Sequence, residues 1–178
     1  EYKGADRAIK AFSIVAKEVP GAELHIVGSG PQLTKLVDLC RRVNSRGKIV
    51  FHGWLSRCSA LDVMAAVALL AHPSLYESFG YVLAEAYALG KPVVAHRAPY
   101  SIELVEAMNT GITVDTFDAK AFADAMVSLL SDKGLYERVS QNAIRASEEH
   151  FNIKNTALKY LRVYEEAFNN DLPITNIR

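Results

Sequence analysis

Residues 67–97 read VALLAHPSLYESFGYVLAEAYALGKPVVAHR, and this stretch decides the fold. It opens with VALLAHP, a continuous apolar run that predicts a buried strand. The PVVAHR segment after Gly90 predicts a second strand of the same kind. Between the two strands, a segment of mostly small and apolar residues predicts a buried helix over about 79–89.

Similar units lie on both sides of this stretch. Helices are predicted over 5–18, 31–46, 57–66 and about 101–108, and strands over 22–28, 48–53 and 111–115. Apolar strands separated by amphipathic helices predict a doubly wound parallel sheet with helices on both faces, a Rossmann-like α/β domain. Ligands of such sheets bind at the carboxyl ends of the strands, which lie just after Gly28, Phe51, Ala71 and Ala95.

The remainder of the chain predicts helices only. From Asp118 onward, apolar residues recur at helical spacing in three successive segments, and Asp132 is placed to cap the second of them. The third segment carries its apolar residues from Ile153 to Phe168, and the tail 169–178 is predicted to be extended. The sequence therefore predicts an α/β domain followed by a helical extension.

Composition excludes several classes of protein. The chain has 178 residues, enough for one domain with a core, and its twenty basic and twenty acidic residues cancel. Without a net charge, a nucleic acid or an anionic membrane is not expected as a partner. No apolar run approaches the roughly 20 residues of a membrane span. Cys40 and Cys58 match no metal-ligand spacing and are predicted to be buried free thiols rather than a structural disulfide, which remains the alternative. A reducing compartment is therefore expected, so the protein would be cytoplasmic, either free or attached to the cytoplasmic membrane face through a second domain.

Two carboxylates mark the most informative candidate site. Glu85 lies within the apolar helix, where ionisation would cost several kcal/mol unless a protein partner or a ligand supplies hydrogen-bond donors. Glu77 lies in the loop just before that helix, where unpaired backbone amides favour anions. A glycosidase would need both carboxylates beside one bond, whereas this spacing suits contacts to two parts of one extended ligand. Carboxylates and free amides together suit a ligand with hydroxyls and phosphates.

Other residues at the predicted strand ends allow two interpretations each. Gly28 and Gly30 lie between a strand and a helix, where they suit either close approach to a phosphate or a plain turn. Lys3 is either a phosphate contact at a helix mouth or a solvated lysine. Trp54 suits a nucleotide base, although a core aromatic is the favoured interpretation. Three strand-end histidines (His52, His72 and His96) are interpreted as core residues or ligand contacts, and no metal site is predicted.

The motifs resemble a known family. Residues 76–95, from Tyr-Glu-Ser-Phe-Gly through Glu-Ala to Gly-Lys-Pro-Val-Val-Ala, resemble the E-x7-E region of retaining glycosyltransferases with the two-domain GT-B fold, especially family 4. Lys3-Gly4, together with Ala11-Phe12, resembles the family's first helix. Residues 24–31 and 50–55 resemble its glycine-ended strands, and the final helix resembles one that returns to the other domain.

The resemblance implies a role for each matching residue. Glu77 and Lys3 would be catalytic, because Glu77 would orient the donor sugar and Lys3 would contact the diphosphate and offset its growing charge. Glu85 would accept hydrogen bonds from the ribose hydroxyls. The other implied donor-binding residues are Phe79, Gly80 and Tyr81 at the helix start, Gly28 and Gly30 beside the phosphates, and Trp54 and Leu55 near the base.

The resemblance also implies a reaction. A hexosyl unit, mannosyl or glucosyl, would pass with retention from a UDP-, GDP- or ADP-sugar to a hydroxyl of a glycan, a lipid or a small molecule. No cofactor and no metal would be needed. Residues 1–178 would form one nucleotide-sugar-binding domain that lacks its first strand, and a helix at about 151–168 would return toward an absent N-terminal acceptor domain. The fragment alone would then be inactive.

Two departures from the family pattern affect this expectation. The chain begins at Glu1, after the position of a Gly-Arg strand end that binds diphosphate in the family. Residues 98–101, Ala-Pro-Tyr-Ser, stand where the family often has a Gly-Gly pair before the glutamate that matches Glu103.

Two alternative functions remain open. One is another enzyme of the GT-B fold, a sugar-nucleotide epimerase or a glycogen-type synthase. The other is a non-catalytic binding or regulatory module.

Overall fold

A computed structural model describes residues 2–43 and 45–169. The strands are β1 (Glu23–Val27), β2 (Lys48–Gly53), β3 (Leu70–His72), β4 (Val93–His96) and β5 (Gly111–Val114). The helices are α1 (Ala5–Glu18), α2 (Leu33–Val43), α3 (Arg57–Ala66), α4 (Tyr81–Ala88), the short α5 (Pro99–Ser101), α6 (Ala119–Ser131), α7 (Lys133–His150) and α8 (Ile153–Phe168). A π-helical turn, Ile102–Glu106, continues α5.

All described strand pairs are parallel, as the sequence predicts. β1 pairs with β2, and β4 lies between β3 and β5. Within the described residues, the hydrogen-bonded ladder therefore falls into two sheets rather than the single sheet expected from the alternation of elements. β1 and β3 are each an edge strand of their own sheet, and no described strand hydrogen-bonds to both of them.

Helices bury both faces of β4. Its successive side chains alternate between faces, so Val94 enters one core cluster while Val93 and Ala95 enter another. The first cluster is formed mainly by α1 and α6, and partly buried residues of both sheets, such as Leu24 and Ala71, pack against it. The second is formed by α4, α7 and the π-helical turn. This arrangement is the doubly wound α/β domain that the sequence predicts.

Several predicted details differ from the structure. α2 begins at Leu33 rather than at residue 31, and the strand predicted over 67–73 is reduced to β3. Cys40 is half-buried and Cys58 is exposed, so the expectation of two buried thiols is wrong, although both are free. Cys58 lies on α3, none of whose residues is buried. The end of the predicted extended tail, 170–178, lies outside the described residues.

The buried guanidinium of Arg7 ties α1 to the loops after β3 and β5. Its Nε donates to Thr116 Oγ1 at 3.1 Å, and its Nη2 donates to the carbonyl oxygens of Pro73 and, at 3.4 Å, Tyr2. The guanidinium carbon also lies 4.7 Å from the centre of the Phe117 ring. Because these partners lie on three separate segments, Arg7 fixes the loops at one edge of the sheet.

Among the helices formed by residues 2–43 and 45–169, none combines the length and the apolar character that a membrane crossing needs.

Close contact between β4 and β5 depends on Gly111. A Cβ atom at this position would overlap the backbone carbonyl oxygen of Val93.

We expect Gly111→Ala to lower the free energy of unfolding by about 1–3 kcal/mol, because the backbone must move to accept the methyl group. In Gly134→Ala, the matched control on α7, the methyl group would meet only Asp132 Oδ1 at 3.5 Å. The control should be neutral or stabilise by up to about 1 kcal/mol. Denaturant unfolding measures both, and equal stabilities would contradict the packing described here.

The role of Arg7 can be tested with Arg7→Lys. The ammonium group retains the charge but lacks the planar fork that reaches Thr116 and Pro73 together. We expect a loss of about 1–3 kcal/mol in the free energy of unfolding. Lys10→Ala on the same helix removes only an exposed pair with Asp6 at 3.7 Å, and should change stability by less than about 0.5 kcal/mol. An Arg7→Lys protein as stable as the unsubstituted one would show that the guanidinium contacts contribute little.

Candidate functional site

The carboxyl ends of β3, β4 and β5 meet at one edge of the second sheet. His72 ends β3 opposite Ala95, and His96 ends β4 opposite Val114. His96 is tied to the loop after β5, because its Nδ1 lies 3.2 Å from the amide nitrogen of Thr116, which donates to it. The loop from β3 to α4 starts at the same edge and carries Glu77, so the strand ends and this loop surround one site.

Lys3 and Glu77, which the sequence singles out as candidate catalytic residues, are in direct contact. The Lys3 Nζ atom donates to Glu77 Oε1 at 2.6 Å. The lysine side chain is 56% exposed, whereas that of Glu77 is only 11% exposed. Lys3 immediately precedes the N-cap of α1, and Glu77 lies shortly before α4. The ion pair therefore connects the N-termini of these two helices.

The charge state of this pair follows from its surroundings. Burial raises the pKa of Glu77. The hydrogen bond from Lys3, with smaller effects of the Ser74 hydroxyl and of His72, outweighs burial, so the pKa lies below its ordinary value. Burial also lowers the pKa of His72, against the opposing attraction of Glu77. At neutral pH the site therefore contains an ionised Glu77 beside a neutral imidazole.

The N-terminus of α4 opens onto this site. Gly80 is its N-cap residue, with a left-handed φ of 76° and no side-chain cap. That backbone conformation favours glycine, and the amides of the first turn are not satisfied by a capping side chain. Phe79 and Tyr81 flank the opening with exposed rings whose centres are 4.7 Å apart. An anion placed here would meet backbone N–H groups and the positive end of the helix.

Glu85 has a protein partner. Its Oε1 accepts from Arg57 Nε at 2.9 Å, and its side chain is 26% exposed. Of the two possibilities left open by the sequence, a protein partner is therefore present in this structure. The prediction that α4 is buried on all sides is wrong, because only one face packs into the core while Tyr81 and Ala88 face solvent.

The loop between β2 and α3 leads directly into Arg57, the first residue of α3, which pairs with Glu85. Trp54 is 77% exposed, so the favoured interpretation of a core aromatic is wrong, while Leu55 is half-buried. Ser56 caps α3 by accepting from Ser59 N, and Arg57 follows directly. The Arg57–Glu85 pair thus connects this loop to α4, which places Trp54 and Leu55 in a segment joined to the site.

The two candidate glycines lie at the carboxyl end of the first sheet. Gly28 follows β1 and has a φ of 125°, a backbone conformation that only glycine adopts without strain. Its amide donates a hydrogen bond to Gly53 O at 2.7 Å. A Cβ atom on Gly28 or Gly30 would meet nothing within 4 Å, so the space beside both residues is open. His52 bonds to His25 across β1 and β2, with 2.9 Å between ring nitrogens.

Sequence reasoning missed two positively charged residues of the site. Arg57 and Arg7 carry no local signal, because each finds its partners far along the chain. In the part of the chain that the structure describes, no three histidine, cysteine or acidic side chains come together as metal ligands. The candidate site thus contains Lys3, Glu77, Glu85, Arg57 and the buried Arg7.

Comparison with known proteins gives a consistent result. Residues 1–146 match the family described as glycosyl transferases group 1. N-acetyl-alpha-D-glucosaminyl L-malate synthase of Bacillus anthracis is 28% identical over 96% of this chain and 44% of its own length. D-inositol 3-phosphate glycosyltransferase of Xylanimonas cellulosilytica is 32% identical over 93% of this chain and 40% of its own length. The chain thus spans less than half the length of either relative.

The fold is shared with solved glycosyltransferase structures. HepE of Anabaena, solved in complex with UDP-glucose, superposes with a TM-score of 0.78 and 26% sequence identity. The match covers 92% of this chain and 46% of HepE. The chain belongs to the glycosyl transferases group 1 family, and its α/β architecture is that of the GT-B glycosyltransferases.

Proposed function

We propose that this chain is the nucleotide-sugar-binding domain of a retaining glycosyltransferase. The whole protein would move a hexosyl unit, glucosyl or mannosyl, from a UDP-, GDP- or ADP-sugar to an acceptor hydroxyl. The observation that carries the proposal is the pair of carboxylates, Glu77 and Glu85, on either side of the uncapped N-terminus of α4. UDP-glucose bound to HepE supports the same class of donor.

Each part of the site suits one part of such a donor. Glu85 would accept hydrogen bonds from the ribose hydroxyls. Arg57 donates one hydrogen bond to this carboxylate, and a carboxylate can accept about four, so positions for the ribose hydroxyls remain. The diphosphate would lie at the mouth of α4, near the backbone of Phe79, Gly80 and Tyr81, with Gly28 and Gly30 keeping its far side open. Trp54 and Leu55 would lie near the base.

The chemistry follows from where charge develops. When the bond between the anomeric carbon and the diphosphate breaks, its electron pair remains on the diphosphate. The acceptor oxygen then bonds to the anomeric carbon, and the proton of its hydroxyl passes to the departing diphosphate. Lys3 and the amides of α4 would stabilise the leaving diphosphate, because they lie where its negative charge grows. Glu77, ionised and little exposed, would orient the sugar through its hydroxyls. The proposal assigns no step to a metal or a cofactor.

We further propose that the acceptor, a glycan, a lipid or a small molecule, binds a second domain outside residues 1–178. The chain spans less than half the length of these two relatives. α8 has no buried residue and exposes large apolar side chains, which suits a helix that packs on another domain. These are Ile153, Leu158, Tyr160, Leu161, Val163, Tyr164 and Phe168. The cytoplasmic location remains a prediction.

Nucleotide binding tests the proposal. By calorimetry, the full-length protein should bind at least one of UDP, GDP and ADP. Glu85→Ala should weaken that binding by about 1–3 kcal/mol, or about 5- to 150-fold, because a charged hydrogen-bond acceptor is lost. Glu137→Ala is the matched control, since within the described part of the chain this exposed carboxylate on α7 pairs with Lys133 alone, at 3.7 Å. Its affinity should equal that of the unsubstituted protein.

The reaction catalysed by the full-length protein decides among the alternatives. Transfer from the sugar of the preferred nucleotide, with the anomeric configuration preserved in the product, is the expected result, and residues 1–178 alone should transfer nothing. Epimerised donor without transfer would favour the epimerase interpretation. Nucleotide binding without any turnover would favour a regulatory module. If none of the three nucleotides binds, the proposal is wrong.

A further inference from the structure

The imidazole of His72 has an unused nitrogen beside the Lys3–Glu77 pair. The residue is buried at the end of β3, and its Nε2 is a buried side-chain atom without a hydrogen-bond partner in the described part of the chain. Nε2 lies 3.2 Å from Glu77 Oε1, but in an orientation that forms no hydrogen bond. A buried polar atom left without a partner is uncommon in folded proteins, so its position requires an explanation.

Two nitrogen atoms lie close to the same carboxylate oxygen. Lys3 Nζ contacts Glu77 Oε1 at 2.6 Å, and His72 Nε2 faces the same atom. The lysine side chain is 56% exposed and can turn on its flexible stem, whereas that of His72 is 8% exposed and belongs to a strand. Lys3 therefore can leave Glu77, and His72 cannot.

Departure of Lys3 would leave Glu77 with too few donors. The proposed function has Lys3 contact the diphosphate, which would draw Nζ toward the mouth of α4. The carboxylate of Glu77 is only 11% exposed, so water would replace the lost donor poorly. His72 Nε2 is already within 3.2 Å and requires only a small change in orientation to donate.

We propose that His72 is a positioning residue that donates from Nε2 to Glu77 Oε1 when Lys3 turns to the diphosphate of the bound donor. The exchange keeps Glu77 ionised and in place beside the sugar while Lys3 acts on the phosphates. This inference rests on the proposed function, because the diphosphate is what draws Lys3 away. It adds a residue to the site and makes donor binding dependent on an imidazole.

The groups around His72 set the sign of its response to pH. Glu77 faces it from the loop, Lys3 from the N-terminal segment, and the Tyr100 ring lies edge-on with the centres 5.9 Å apart. The Tyr100 hydroxyl donates to Ser74 O at 2.6 Å, and burial raises its pKa, so it stays neutral. When Lys3 moves away, the pKa of His72 rises because Glu77 remains. Donor binding therefore takes up protons and tightens as the pH falls.

Two substitutions separate the donor function from the shape of the ring. His72→Gln places an amide nitrogen near Nε2 that donates but does not titrate, and His72→Phe keeps the ring without a donor. With UDP, GDP or ADP as the probe, we expect His72→Phe to weaken binding about tenfold and His72→Gln to restore most of it. Both variants should lose the part of the proton uptake that belongs to His72. Calorimetry in two buffers that differ in their heat of ionisation measures the number of protons taken up. Titration of the nucleotide contributes equally for all three proteins, so the difference between them belongs to His72.

A second measurement needs no nucleotide. In Lys3→Met, the His72 imidazole should titrate at higher pH than in the unsubstituted protein, and adding Glu77→Gln should abolish the rise. NMR of protein labelled at histidine nitrogens follows the titration, with His72→Gln identifying the signal. Thermal unfolding establishes that each variant is folded.

The outcomes distinguish the inference from the proposed function. An unchanged His72 titration in Lys3→Met overturns the exchange, and so do equal affinities of the unsubstituted protein, His72→Gln and His72→Phe, while nucleotide binding itself still supports the proposed function. If no nucleotide binds but the titration rises in Lys3→Met, the proposed function is wrong and the donor-driven exchange is wrong with it, while the electrostatic coupling of His72 to Lys3 and Glu77 is established separately.

Discussion

Burial of β4 on both faces is the constraint from which the geometry of the site follows. Val93, Val94 and Ala95 have no exposed surface, so helices must pack on both sides of the strand. α1 and α6 cover one side, and α4 and α7 cover the other. The N-termini of α1 and α4 then meet at the edge where the parallel strands end. Lys3 and Glu77, 74 positions apart in the sequence, are in contact for this reason.

Polar groups at this edge divide into two sets. Arg7, Ser74 and Tyr100 donate to backbone carbonyls and fix the loop that follows β3. Lys3 and Arg57 instead pair with carboxylates while remaining largely exposed. An ion pair on the surface contributes only about 0–1 kcal/mol, so a ligand can replace the Arg57–Glu85 pair at little cost. The carboxylate of Glu77 is only 11% exposed, so Lys3 leaves it without loss only if another donor takes its place. A rigid loop carrying exchangeable ion pairs suits a site that binds a charged donor and releases a more highly charged product.

The segment that departs from the family pattern belongs to the first of these sets. Tyr100 lies in the Ala-Pro-Tyr-Ser stretch at residues 98–101, and its hydroxyl bonds to Ser74 O at 2.6 Å. The Ser101 hydroxyl donates to His96 O at 2.6 Å in the same region. Bulky residues here support the loop that carries Glu77. They therefore link the departure in sequence to the positioning of a candidate catalytic group.

Local signals predicted most of the fold. Apolar periodicity located the helices and strands, and Asp132 caps α7 by accepting from Leu135 N, as its position before an amphipathic segment predicted. The spacing of Glu77 and Glu85 around a Phe-Gly step located the mouth of α4. Long-range contacts were not predictable. Arg57 reaches Glu85 across 28 positions, and the exposure of Trp54 depends on which elements cover its loop.

The histidines show the same limit. Three of them end predicted strands, and the sequence does not distinguish their surroundings. The structure does, because His52 bonds to His25 and His96 bonds to Thr116, whereas one nitrogen of His72, beside Glu77, has no hydrogen-bond partner among the residues that the structure describes. Only the packing of Lys3, Glu77 and β3 together makes His72 a candidate for a role in the site.

A crystal structure of the full-length protein with its preferred nucleoside-diphosphate sugar tests the central claim most directly. The account predicts the diphosphate at the N-terminus of α4 in contact with Lys3 Nζ, the ribose hydroxyls on Glu85, and the hexose beside Glu77. It also predicts His72 Nε2 in a hydrogen bond with Glu77 Oε1. A nucleotide bound away from the mouth of α4, or a ribose remote from Glu85, would contradict it.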